Sequence, residues 1–180
     1  MRLDLTEILA NVGKRMPYVI EEPPLVNEDI ECGAPVAGNA IFTNTGNALL
    51  LAGVVTTELV LCCGRCLEYY RLPLELELDE QFPLETRVVG SKGRRVTFAV
   101  EEDENPDAGK LFDGPVLDLT EMLRQNLAVA IPLQPLHDPD CKGLCPVCGS
   151  NRNTEKCNCQ TDAPTGALRG LAALLDDAQE

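Results

Sequence analysis

The sequence predicts an α+β fold: an antiparallel β-meander packed by one main helix, with a cysteine-rich subdomain at the C-terminal end. Three observations carry this. Leu72, Leu74, Leu76 and Leu78 alternate with Pro73, Glu75, Glu77 and Asp79, the period of two that gives a strand one buried and one wet face. The turn formers Asn44-Thr45-Gly46-Asn47 separate two strand-like runs, a hairpin signal. Asp118 and Glu121 have capping-box spacing at the head of an apolar stripe with helical period. Residues 1–136 are predicted to form the sheet and helix domain, and residues 137–180 the cysteine-rich unit and a closing helix.

In chain order, Asp4 to Gly13 reads as a short helix, with Leu5, Ile8, Leu9 and Val12 on one face and Gly13 as its end. Tyr18 to Ile30 holds Pro23, Pro24 and the acids Glu21, Glu22, Glu28 and Asp29, and reads as an extended linker. Ala34 to Thr43 is the first strand run. Ala48 to Cys62 is the second, with Leu49, Leu51, Val55, Leu59 and Leu61 on one face. The leucine row around Leu72 to Leu78 is the third, and Val96, Phe98 and Val100 mark another. The main helix runs from Asp118 to Ile131, its stripe being Leu119, Met122, Leu123, Leu127, Ala130 and Ile131, and Pro132 stops it. Near the end, Leu168, Leu171, Leu174 and Leu175 share a side of a helix too short to be stable alone.

The 180 residues suit one domain with a small satellite. There is no tryptophan, and aromatics are 4% of the chain, so Leu, Val, Ile and Ala must build the core. The apolar run Ala48 to Val55 is far short of a membrane span, and the N-terminus shows no targeting peptide. The expected location is the cytoplasm, where cysteines stay reduced. Net charge is −14, from 29 acids against 15 bases. A surface of that sign repels phosphate at long range and attracts basic proteins, so any nucleic-acid contact must be local.

The densest chemistry lies in the last third. Five of the nine cysteines fall between Cys141 and Cys159. Cys145 and Cys148 form a C-x2-C, and Cys157 and Cys159 a C-x-C, with Gly149, Ser150, Asn151, Asn153 and Thr154 between the pairs. That spacing is the pattern of a zinc knuckle. Two thiolates on a tight turn aim at one point, and a second short pair closes the tetrahedron. Pro146 presets the turn and Gly149 can take a positive φ. The alternatives are free thiols in a solvated loop, or disulfides. Cys141 is the reserve ligand should Cys159 point away.

A second C-x2-C, Cys63 and Cys66, falls on the predicted turn between the second and third strands. Thioredoxin-like redox chemistry would need a βαβ context, which is missing. The readings left are half of a second metal site, ligands shared with the first, or reduced cysteines at a strand end. His137, the one histidine, reads first as a plain loop residue, with ligation as the alternative. A possible second metal site is Cys63, Cys66, His137 and Cys141. Arg87, Lys92, Arg94 and Arg95 form the one basic cluster. It reads as a solvated surface paired with nearby acids such as the run Glu101 to Asp107, or as a contact for RNA phosphates.

Three signatures together resemble a known family. Cys63-Gly-Arg-Cys66-Leu follows an antiparallel hairpin. Asp118-Leu119 opens a helix that runs into Ile131-Pro132-Leu133-Gln134-Pro135-Leu136. The third is Asp140-Cys141-Lys142-Gly143-Leu144-Cys145-Pro146-Val147-Cys148-Gly149. The combination is similar to the YceD family, the large ribosomal RNA subunit accumulation proteins, from about Ala34 to the C-terminal leucine-rich stretch. The resemblance implies a part in accumulation of large-subunit ribosomal RNA, in bacteria and plastids, with no established catalytic activity. Genes of the family often neighbour that of a small zinc-ribbon large-subunit ribosomal protein. Many relatives have cysteine where this chain has His137, and some lack the C-terminal knuckle. Zinc is therefore expected here to hold a subdomain in place, while function lies on the sheet and its loops.

The function expected is a non-enzymatic factor in ribosome biogenesis. The charge favours contact with a basic large-subunit ribosomal protein or a precursor ribosomal particle, with ribosomal RNA engaged indirectly. The acidic strand face of Glu75, Glu77 and Asp79 is the expected contact. The alternative is a direct RNA-binding zinc module that uses the knuckle together with Arg87 to Arg95. An enzyme is disfavoured, because the sequence offers no nucleophile, base and acid set and no phosphate loop.

Overall fold

A computed structural model describes residues 1–27, 30–89, 94–99 and 110–159. Its strands are β1 (Arg2–Asp4), β2 (Arg15–Glu22), β3 (Val36–Asn44), β4 (Ala48–Cys62), β5 (Tyr69–Val89), β6 (Arg94–Ala99), β7 (Phe112–Asp113) and β8 (Val116–Asp118). Two helices, α1 (Thr6–Leu9) and α2 (Leu119–Ala130), complete the described elements. Five strands form one sheet in the order β2-β3-β4-β5-β6, and three form a second in the order β1-β8-β7. Every pairing is antiparallel. The architecture is thus mostly antiparallel strands with few helices.

The hairpins follow from local chemistry. β3 and β4 meet at Thr45-Gly46-Asn47, where Gly46 takes φ +100° and the Thr45 hydroxyl donates to the Ala48 carbonyl at 2.9 Å. β4 and β5 then pair without a break from Ala48↔Pro83 to Cys62↔Tyr69. The leucine row on β5 points inward as predicted. Leu78 is buried, Leu72, Leu74 and Leu76 are half-buried, and Glu75, Glu77 and Asp79 are exposed. Two glycines let the sheet curl. A Cβ on Gly38 would lie 2.1 Å from the Val54 carbonyl oxygen, and one on Gly53 would lie 2.4 Å from that of Asn39. Neither strand could bend so closely over the other with a side chain there.

The sheet's inner face and α2 share one apolar cluster, in which Phe42, Leu49, Leu51, Val55 and Leu78 lie with Leu119, Met122, Leu123 and Leu127. Asp118 caps α2 by accepting from the Glu121 N–H at 3.2 Å. The Glu121 carboxylate turns instead to Arg124, at 2.6 Å, so the cap is one-sided. Among the described residues no helix is long and apolar enough to cross a membrane.

Two predicted elements are corrected. The N-terminal helix is a single turn. Asp4 ends β1, and its carboxylate accepts from the Thr6 N–H and hydroxyl at 2.9 and 2.6 Å. Leu5, Ile8 and Leu9 are buried but Val12 is exposed; the chain leaves the helix early because Gly13, at φ +81°, donates to the Asn44 carbonyl. The predicted linker from Tyr18 contains most of a strand, β2. Ile20 pairs with Gly38 and Tyr18 with Ala40, and Ile20 is fully buried. Pro17 is tolerated because, among the described residues, β2 is an edge strand with no strand beyond it, and Pro23 and Pro24 follow its end. The segments 101–107 and 160–180, with the acidic loop and the closing helix expected there, lie outside the described residues.

Candidate metal centres

The β4–β5 turn and the stretch after α2 meet at one end of the sheet. The Gly64 N–H donates to the Pro135 carbonyl at 2.8 Å, and the Leu144 N–H to the Arg65 carbonyl at 2.9 Å. The Arg65 guanidinium donates to the carbonyls of Pro139 and Cys141 at 3.1 and 3.0 Å. Gly143 sits against this turn at φ +69°, where a Cβ would meet the Arg65 carbonyl at 2.9 Å. These ties bring residues 137–145 onto the turn that carries Cys63 and Cys66.

The two C-x2-C turns have the same backbone construction. The Cys63 N–H donates to the Glu68 carbonyl and the Leu67 N–H to the Cys63 carbonyl. At equivalent positions the Cys145 N–H donates to Ser150 and the Gly149 N–H to Cys145, and all four distances are 2.8 or 2.9 Å. The residue after the second cysteine is left-handed in both, Gly149 at φ +74° and Leu67 at φ +61°. Each turn therefore points its two thiols to one side.

Two groups of four ligand atoms result. Cys63, Cys66, His137 and Cys141 form one and Cys145, Cys148, Cys157 and Cys159 the other; within each, the ligand atoms lie within 4.8 Å of one another. Either group could hold a metal ion. The Sγ atoms of Cys63 and Cys141 are 3.8 Å apart, and His137 Nδ1 is 3.4 Å from Cys66 Sγ. Sulfurs around a tetrahedral ion with metal–sulfur bonds of about 2.3 Å are separated by about 3.8 Å, so the donor set and spacing fit. Cys63, Cys66, Cys141 and Cys145 are buried, Cys157 and Cys159 half-buried, and His137 and Cys148 exposed. His137, read first as a loop residue, thus stands beside three thiols, edge-on to Tyr70 with ring centroids 6.5 Å apart. Cys141 lies with Cys63 rather than with the C-terminal knuckle.

The thiols within each group are split in acidity. Burial alone would raise Cys63, but backbone N–H groups of Cys66 and His137 and the imidazole outweigh it and bring it down to about 5. Cys66 is pushed up to about 11, by burial first and then by the thiols of Cys63 and Cys141 against the opposing Glu68 N–H. In the second group the Cys148 and Val147 N–H groups hold Cys145 at about 6. The Ser150 hydroxyl, 3.1 Å away, and its N–H lower Cys148. Cys159 is driven up to about 12, chiefly by Cys148 and by burial. Converging N–H groups favour the first thiolates, and these then resist ionisation of the rest. A divalent cation removes that resistance.

Four contributors escaped sequence reasoning. Asn153 donates to Cys141 Sγ at 3.4 Å and accepts from the Lys142 N–H at 2.8 Å. It lies between Cys148 and Cys157 in sequence yet touches the other group. Arg65 and Ser150 act as described, and the Glu68 carboxylate lies 3.9 Å from Cys66 Sγ. The one sequence clue was position: Arg65 sits inside a cysteine pair, Glu68 and Ser150 just after one, and Asn153 between two pairs. Away from the metal groups, Glu75, Glu77 and Asp79 form an exposed row on β5. Arg87 pairs with Glu85 at 2.9 Å and lies 4.9 Å over the Phe98 ring. Arg94 and Arg95 begin β6, and Lys92 lies outside the described residues.

The sequence profile of a family described as "Large ribosomal RNA subunit accumulation protein YceD" matches residues 51–175, a span that includes both cysteine groups. The chain is 28% identical over 171 residues to "Large ribosomal RNA subunit accumulation protein YCED homolog 1, chloroplastic" of Arabidopsis thaliana, covering 85% of this chain and 52% of that protein. It is 28% identical over 143 residues to the maize protein of the same name, covering 70% and 49%. An uncharacterised protein of Mycobacterium leprae is 30% identical over 122 residues, covering 68% and 51%. The chain thus spans about half the length of these relatives. No solved structure matches it.

Leu67 gives a test of the turn construction. An L-residue in the left-handed region costs about 1–2 kcal/mol, and glycine gives back roughly half of that in chain entropy. Leu67 is 60% exposed, so little packing is lost. Leu67→Gly should stabilise the chain in urea titration by at most about 1 kcal/mol; a clear loss of stability would mean that the leucine side chain itself holds the turn.

Proposed function

The chain belongs to the YceD family of large ribosomal RNA subunit accumulation proteins, and on that premise we propose that it is a non-enzymatic factor in biogenesis of the large ribosomal subunit, shaped by zinc and acting on a basic ribosomal protein or a precursor particle. The family match over residues 51–175 carries the ribosomal part of the reading. The rest is supported by ligand chemistry and charge.

Zinc suits both groups. Cys145, Cys148, Cys157 and Cys159 would supply four sulfurs, and Cys63, Cys66, His137 and Cys141 three sulfurs and a nitrogen. Such an ion has no position left for water, so its contribution is to hold chain segments together. The Asn153 amide, the Glu68 backbone N–H and the Ser150 hydroxyl and N–H would orient the thiolates around it, the usual task of groups just behind a metal's ligands. In this reading residues 1–136 are the sheet and helix domain, and residues 137–180 a unit that metal binding completes. The place of action is the cytoplasm.

The contact is assigned to the acidic row of β5. Net charge is −14, and Glu75, Glu77 and Asp79 point outward together. β6 pairs with β5 only from Leu84 onward. Among the described residues the row therefore runs along an edge with no strand beyond it. A basic ribosomal protein could be held there until RNA, with its denser charge, displaces the row. The rival reading, RNA held by Arg87, Lys92, Arg94 and Arg95, is weakened at Arg87, which is engaged by Glu85 and Phe98.

Two experiments test this. The purified chain should carry two zinc ions. Cys148→Ser should remove one and Cys63→Ser/Cys66→Ser the other, and loading should weaken as pH falls because the thiols must lose their protons. A Cys148→Ser chain with undiminished zinc contradicts the ligand assignment. For the partner, the tagged chain should be purified from cells and its RNA and proteins sequenced. Basic large-subunit proteins should co-purify and be lost between low and moderate salt. Glu75→Gln/Glu77→Gln/Asp79→Asn should slow association without changing the fold. Tight binding to protein-free large-subunit RNA at physiological salt, lost on neutralising the four basic residues, would instead establish the rival.

A further inference from the structure

The outer face of the large sheet carries a feature that neither the metal groups nor the acidic row explains. Strand register places Pro17, Ile41 and Ala52 side by side across β2, β3 and β4, and Asp79 follows on β5. The next row outward-facing is Val19, Asn39, Val54 and then Glu77. Val19 is 61% exposed, Val54 42% and Ile41 38%, and Pro17 and Ala52 are exposed as well. Five of the six positions on three adjacent strands are therefore apolar and open, and the fourth strand continues both rows with a carboxylate.

Isolated exposed apolar residues are ordinary, but contiguous ones on a sheet face mark contact sites. The inner face does not need them, because it has its own buried set in Leu49, Leu51, Val55 and Phe42. We propose that the outer face of β2, β3 and β4 is an apolar floor which, with Glu77 and Asp79 as its acidic wall, seats an amphipathic basic polypeptide segment of another protein. The occupant follows from charge complementarity. A segment with lysine or arginine on one side and aliphatic residues on the other buries Val19, Ile41 and Val54 while pairing its cations with β5. A second copy of this chain would bring its own acidic wall against the first. The inference deepens the function proposed above and rests on it for the sign of the partner's charge.

The test uses the full chain and two synthetic lysine-rich peptides of equal length and charge, one alternating lysine with leucine and the other lysine with serine. Calorimetric titration should show the leucine peptide binding at least about tenfold tighter. Val19→Thr/Ile41→Thr/Val54→Thr keeps β-branched residues on exposed strand positions, so it should fold normally, and it should abolish that preference while leaving the serine peptide unaffected. Equal binding of the two peptides would overturn the apolar floor and leave the charge-based contact standing. Binding of neither at low salt would overturn both. A preference that survives the triple substitution, or sedimentation as a dimer that this substitution dissociates, would place the peptide elsewhere or give the face to a second copy, and either overturns the proposal.

Discussion

The β4–β5 hairpin is the constraint on which the other features depend. Its pairing is continuous over all 15 residues of β4. At one end it delivers Cys63 and Cys66 on a tight turn. Along its length it sets Leu74, Leu76 and Leu78 toward the core and Glu75, Glu77 and Asp79 to the outside. A slip of one residue in that register would exchange the two faces, bury three carboxylates and expose the leucines. The burial cost of unpaired carboxylates makes such a slip prohibitive, so the core and the acidic row are fixed together.

At the turn end, the stabilising interactions change kind. The sheet is held by a large apolar cluster, whereas around the first metal group the buried residues are Cys63, Cys66 and Cys141, with Tyr70 and Leu136 half-buried beside them. So little apolar area supplies only a few kcal/mol against chain entropy. Backbone hydrogen bonds from Gly64, Leu144 and the C-x2-C turns fix the shape. Ionising all the thiols opposes it: burial and then the neighbouring thiols push Cys66 up, and Cys148 together with burial pushes Cys159 up. Zinc in both groups would offset both costs and account for so many cysteines in a unit with so little core. Through Asn153 the two groups are also joined, since a side chain from one knuckle's loop bonds to a sulfur of the other group.

The parts legible in the sequence were those whose causes are local. β4 starts and ends where the turn residues and the cysteine turn say it should, at Ala48 and Cys62. The Asp118 cap is decided within four residues. The four cysteines from Cys145 to Cys159 are close in sequence, so their spacing alone suggested one centre, and the structure brings them together. What depends on distant partners was harder to read. β2 exists because Tyr18 and Ile20 find Ala40 and Gly38, and nearby acids and prolines hid that pattern. The group around Cys63 and Cys141 joins residues 78 positions apart. From the sequence it was one of several possibilities, and His137 had no local feature to distinguish a ligand from a loop residue. The outer apolar face was invisible for the same reason, because Val19, Ile41 and Val54 become neighbours only through strand register.

Two ligand sets, one of four sulfurs and one of three sulfurs and a nitrogen, are drawn together at this end of the molecule. X-ray absorption at the zinc edge on the fully loaded chain would read both sets at once. If both sets bind the metal, the spectrum should show two zinc ions sharing seven sulfurs and one nitrogen, with bonds of about 2.3 Å to sulfur and about 2.0 Å to nitrogen and no water ligand. A single zinc per chain, or a first shell dominated by oxygen and nitrogen, would contradict it.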